Sequence, residues 1–174
     1  MSDTHNQSIS NTETLGSTED PGINPIDRSV RLPVLILAGT SLLWLLSGTL
    51  LALIASYKLH TPGFLAGHEW LTYGRVYPAS VNALIYGWGV NAAFAVGIWL
   101  MARLSHAKLM HGGMLIVAAV FWNIGVDVGI CGILIGHSQS IEWLEIPAYA
   151  TPLLFVSYTL MGVWVVLTFR YRQD

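Results

Sequence analysis

The chain has 174 residues, 53% of them hydrophobic and 10% charged, with a formal net charge of −2. Soluble domains carry roughly 25% charged residues, so this composition excludes a water-facing globular domain. The small net charge gives no footprint for nucleic acid as a partner. A single cysteine, Cys131, excludes an intrachain disulfide and any cysteine-based metal cluster.

Residues 1–31 are dominated by Ser, Thr, Asn, Asp and Glu, and their few apolar residues show no period. Such a segment buries too little apolar surface to offset its chain entropy, so it is expected to be a disordered tail. It also lacks the basic start and apolar core of a secretory signal. The remainder, 32–172, is predicted to be an all-α, integral membrane four-helix bundle in the lipid bilayer. The first span is the uncharged stretch 32–57, between Arg31 and Lys58. At 1.5 Å per residue it crosses a ~30 Å hydrocarbon core with length to spare. The second is expected over 76–102, the third over 110–136 and the fourth over 146–169.

Charge sets an expected orientation. Arg28, Arg31, Arg103, Lys108, Arg170 and Arg172 fall on one side, against Lys58 and Arg75 on the other. This asymmetry predicts that both termini are cytoplasmic, in a membrane read as the bacterial inner membrane. Trp70, Tyr73, Tyr77, Trp143 and Tyr149 sit near the opposite boundary, as an interfacial belt would.

The third span carries Gly125, Gly129, Gly132 and Gly136 at offsets of four, three and four. One stripe of small residues predicts close approach of another helix backbone. Asp127 is the acidic residue well inside a span, with Asn123 one turn before it and Cys131 one turn after. A carboxylate at that depth costs roughly 2.5–3.5 kcal/mol on insertion scales, so it must face protein or a polar path. Two readings stand beside each other: a proton-relay or subunit-docking group, and a neutral structural acid hydrogen-bonded to Asn123. Asn82 and Asn91 in the second span read as interhelical hydrogen-bonding groups.

The chain has six histidines, the residue type that could ligate a haem or a metal. His5 is in the tail, His60, His68 and His137 lie at the outer side, and His106 lies at the inner side. His111, at the inner end of the third span, is the one candidate embedded in a helix, and no other span offers a histidine at its level. No nucleophile–base pairing, phosphate-binding glycine loop or zinc spacing occurs.

The segment from Leu71 to Asn91 resembles the start of the second helix in subunit I of cbb-type haem–copper cytochrome c oxidases. That family reads Gly-Arg-x-x-Pro-x-His-x-Asn-Ala there, and Gly74, Arg75, Pro78, Asn82 and Ala83 match. Phe121-Trp122 and the run from Glu142 to Pro147 also look like the corresponding region. The resemblance spans about Leu32 to Arg170 and implies the first four helices of a subunit about three times longer. The family's histidine ligates the low-spin haem, whereas Ser80 stands at that position here. The resemblance therefore implies a short or split, subunit-I-like membrane subunit of a cytochrome c oxidase or related respiratory complex. It would not be catalytic alone, and its partners would be other membrane subunits of that complex. Haem would come only through a partner chain or a replacement ligand such as His111. Arg75 would meet a haem propionate of a neighbour. A nitric oxide reductase shares the second-helix pattern, and a small proton or solute carrier built around Asp127 is the alternative from another class.

Overall fold

A computed structural model of the chain describes residues 25–105 and 112–170, so the tail up to residue 24 and His106 and His111 lie outside the described residues. Four long helices account for most of them: α1 Pro25–His60, α2 Tyr73–Leu104, α3 Gly112–Ile135 and α4 Thr151–Arg170. Each is long and apolar enough to cross a membrane. The all-α, four-span expectation holds.

Three boundaries differ from the sequence reading. α1 begins at Pro25 rather than after Arg31, taking the last residues assigned to the tail into the helix. Proline is well placed at a first helical position, where its missing N–H is not needed. The fourth helix begins at Thr151, because Ile146 to Ala150 form a non-helical stretch that folds onto α3. The second span is longer than 76–102 and is not uniform. It runs as α-helix over Tyr73–Asn82, as π-helix over Ala83–Gly89, and as α-helix again over Val90–Leu104.

The helices run alternately up and down. Ser41 of α1 meets Trp88 of α2, Arg75 at the start of α2 meets Leu134 at the end of α3, and Ser157 of α4 meets Ala118 of α3. One end of the bundle therefore gathers residues 61–72 and 136–150; we call it the loop-rich end.

α3 is the central element. Leu115, Ala118, Ala119, Trp122, Gly125, Val126, Gly129, Ile130, Gly132 and Ile133 are all buried along it. α1 packs along α2 and touches α3, whereas α4 packs mainly on α3. One core cluster, around Leu37, Ile98, Leu115, Met161 and Trp164, joins all four helices. A second, around Ala83, Trp122, Val126, Ile130 and Ile146, fills the loop-rich half. On the outside, Leu35, Leu42, Leu46, Leu50 and Leu53 of α1 project freely, as a lipid-facing surface requires.

Candidate functional site

The polar groups inside the membrane converge where α2 changes helical register. In the π-helical stretch the hydrogen bonds reach five residues back, as the N–H of Val90 does to the carbonyl of Ile85. Three successive carbonyls in it then accept side chains. The Trp122 indole N–H donates to Tyr86 O at 2.9 Å, the Asn91 amide to Gly87 O at 2.5 Å, and the Ser41 hydroxyl to Trp88 O at 3.3 Å. Lipid offers no water to satisfy such groups, so side chains from α1, α2 and α3 do it instead.

Asn91, fully buried, and Asn123 form a reciprocal amide pair at 3.3 and 3.2 Å. Asn123 also donates to Ala119 O at 2.8 Å and accepts the Trp44 indole N–H at 2.9 Å. Trp44 reaches it because Gly87 has no side chain. A Cβ at Gly87 would come within 2.5 Å of the indole Cγ. α1, α2 and α3 are thus tied at one depth by a closed set of hydrogen bonds.

A second network lies at the loop-rich end. The Asn82 amide donates to Pro78 O at 2.8 Å and to the Glu145 carboxylate. Glu145 also accepts the Trp143 N–H at 3.2 Å, and the Trp143 carbonyl accepts the Tyr86 hydroxyl at 3.1 Å. Trp143 is held in the left-handed region, at φ 72°, between these two contacts. The Asn82 carbonyl oxygen is buried without a partner among the described residues.

Arg75 donates to Leu134 O at 3.4 Å, and its guanidinium lies over Gly136. It therefore stands at the negative end of the α3 dipole and supplies a donor to one of its last carbonyls. Gly136, at φ +103°, ends the helix in a conformation that glycine adopts without strain. The glycine stripe is occupied, but only in part by a helix. Gly125 faces Leu154 and Leu153 at the start of α4, Gly129 faces Ile146, Gly132 faces Pro147 and Tyr149, and Gly136 faces Arg75.

Asp127 does not pair with Asn123, whose amide is committed to Asn91, Ala119 and Trp44. It is exposed on the outer surface of α3, in a groove shared with α1. Ser80 is buried, and its hydroxyl donates to Tyr77 O at 2.7 Å. It borders an apolar cavity of about 220 Å³ between α1 and α2, lined by Ala52, Ala55, Leu59 and Leu84 among others.

Several residues of these networks were not singled out from the sequence: Trp44, Ser41, Tyr86, and Glu145 as the half-buried partner of Asn82. The available signal was a tryptophan in the middle of a span, where an interfacial role is excluded. The paired glycines around Trp88 were a second hint that a large side chain enters there.

Four helices long and apolar enough to cross a membrane, tied together at mid-depth by amide hydrogen bonds, define the class as a helical integral membrane protein. The profile of the family described as Cytochrome C and Quinol oxidase polypeptide I matches residues 33–173, and the chain belongs to that family. The Cytochrome c oxidase subunit 1 homolog of Azorhizobium caulinodans is 26% identical over 138 residues, covering 78% of this chain and 25% of that protein. The Cytochrome c oxidase subunit 1 homolog, bacteroid, of Bradyrhizobium diazoefficiens is 26% identical over 134 residues, covering 77% and 23%. Cytochrome c oxidase subunit 1 of Rhodobacter capsulatus is 30% identical over 107 residues, covering 59% and 20%. The chain thus spans a quarter or less of the length of these relatives. No solved structure matches.

Proposed function

We propose that this chain is a subunit-I-like, non-catalytic membrane subunit of a cbb-type haem–copper oxidase or closely related respiratory complex, working in contact with other membrane subunits. The observation that carries this reading is the family match over nearly all of the membrane-spanning part, combined with Ser80 at the motif position of the haem-ligating histidine. A serine hydroxyl is a poor axial ligand for haem iron, and the Ser80 hydroxyl donates its proton to the Tyr77 carbonyl. His60, the last residue of α1, is exposed at the loop-rich end, as are His68 and His137 in the segments outside the spans. The described residues therefore do not fit an axial haem site. Arg75, given a structural partner at the end of α3, has less need of a propionate from a neighbour. A carrier built on Asp127 gains no support from a carboxyl that lies outside the bundle. We further propose that both termini are cytoplasmic and the loop-rich end faces outward, on the strength of the Lys and Arg asymmetry.

The test is a mild-detergent purification of the tagged chain from its own membranes, with a reduced-minus-oxidised haem spectrum of what accompanies it. The expected outcome is co-purified haem together with a larger, histidine-rich membrane subunit. The chain purified by itself is expected to show no stoichiometric Soret absorbance. Stoichiometric haem on the isolated chain, or its isolation from the membrane with no oxidase subunit, would overturn the proposal.

A further inference from the structure

The groove between α1 and α3 is lined by Thr40, Leu43, Trp44, Ser47, Asn123 and Asp127, with a volume of about 250 Å³. Its hydrogen-bonding character is one-sided. Thr40 donates to Ile36 O at 2.9 Å, Ser47 to Leu43 O at 2.9 Å, and Trp44 to Asn123 at 2.9 Å. The two amide protons of Asn123 go to Asn91 and Ala119. Every side-chain donor in the groove is therefore committed inside the protein. What remains to face outward, with Asp127 ionised, are acceptors: the lone pairs of Thr40 and Ser47 and both carboxylate oxygens of Asp127.

Asp127 has no hydrogen-bond or salt-bridge partner among the described residues, and it is exposed. It lies eight residues from Ile135, the end of α3, or about 12 Å along the helix, so it sits well within the hydrocarbon. Leu43 and Ser47 are exposed beside it, so the groove opens sideways into the bilayer. Neither water nor free ions are abundant there, and an acidic group at that depth needs a donor brought by protein. The volume falls below the roughly 300–1,000 Å³ usual for small-molecule and cofactor pockets, which suits one long side chain.

We propose that this groove is the docking site of a transmembrane helix from a partner subunit, one that inserts a lysine or arginine side chain at the depth of Asp127. A cation with several N–H donors complements an acceptor-only groove carrying one carboxylate. The proposed function bears only on the partner's identity; the groove's chemistry stands apart from it.

Cys131, exposed one turn beyond Asp127 on the same helix, provides a handle. The full-length chain in its own membranes is labelled there with a photoreactive maleimide, irradiated, and the adduct mapped by mass spectrometry. The expected attachment lies in a transmembrane segment of another protein, within one helical turn of a lysine or arginine. Asp127→Leu is expected to lower adduct yield at least tenfold, and Asp127→Asn several-fold. Leucine at an exposed membrane position leaves insertion intact, and recovery of the variant from the membrane fraction checks this. Adducts to lipid alone, to a second copy of this chain, or to a segment without a basic residue would overturn the proposal. So would a yield indifferent to Asp127→Leu. A basic partner segment from a protein outside respiration would retain the docking site and refute the proposed function. Co-purification with an oxidase but without an Asp127-dependent adduct would do the reverse.

Discussion

Asn123 makes four hydrogen bonds to three helices' worth of groups: to Trp44 of α1, to Asn91 of α2 and to its own Ala119 carbonyl. Interhelical hydrogen bonds in membranes average about 0.6 kcal/mol and reach about 1.7, because the unfolded chain in lipid also finds partners. Asn123→Leu removes several at once and leaves the Trp44 indole N–H unsatisfied. It is expected to destabilise the protein by about 2 kcal/mol, read by unfolding in mixed detergent micelles. Trp44→Phe removes one of these bonds while keeping much of the ring in the Gly87 recess, and about 1 kcal/mol is expected. Because both act on one contact, the double variant should cost less than the sum. Strict additivity would show that the Trp44–Asn123 bond contributes nothing. At the loop-rich end Glu145 has the equivalent position, accepting from Asn82 and from the Trp143 backbone. Glu145→Leu would leave the fully buried Asn82 amide one acceptor short.

At the scale of elements, the π-helical stretch of α2 and the glycines of α2 and α3 explain how the helices approach. Gly87 and Gly97 lie on the same helix but differ in what they meet. A Cβ at Gly87 enters the Trp44 ring, whereas at Gly97 nothing lies within 4 Å. Gly87→Ala is therefore expected to cost about 1–3 kcal/mol through overpacking. Gly97→Ala should be neutral or stabilising by up to about 1 kcal/mol, since alanine is the better helix former. Thermal unfolding of both variants in one detergent makes the comparison, and equal effects would contradict the packing described. The glycines of α3 admit chain of different kinds. The stretch from Ile146 to Tyr149 lies against Gly129 and Gly132, and α4 begins against Gly125. The stripe thus seats a connecting segment as much as a helix. This lets α4 start at Thr151 on the side of α3 away from the Asp127 groove.

For the molecule as a whole, α1, α2 and α3 form a unit held by polar contacts, and α4 joins through α3 by apolar packing and the Ser157–Ala118 hydrogen bond at 2.6 Å. The proposed orientation has a direct check. With Cys131→Ser in the background, Ser140→Cys at the exposed loop-rich end should react with a membrane-impermeant thiol reagent added to intact cells. Labelling only after permeabilisation would reverse the orientation. The lipid-facing leucines of α1 and the outward Asp127 groove give the bundle two unlike outer surfaces. One is satisfied by acyl chains alone, the other is not.

The sequence by itself determined that the chain forms four helices long and apolar enough to cross a membrane, because predominantly apolar runs of that length have no stable alternative to a membrane helix. It also marked the residues with chemistry: Asn82, Asn91, Asn123, Asp127 and the glycines of α3. Their partners were not legible, because hydrogen bonds such as Trp44–Asn123 join residues 79 positions apart and depend on how helices rotate and approach. Periodicity placed Asp127 opposite the glycines, yet only the packing of α1 and α4 on either side of α3 decided that it faces outward. Likewise Arg75 was visible as part of a motif, but its place over Gly136 follows from the antiparallel run of α2 and α3. Burial and length are properties of a segment and can be read along the chain. Satisfaction of a polar group in lipid is a property of neighbours in space, and the tertiary structure alone supplies them.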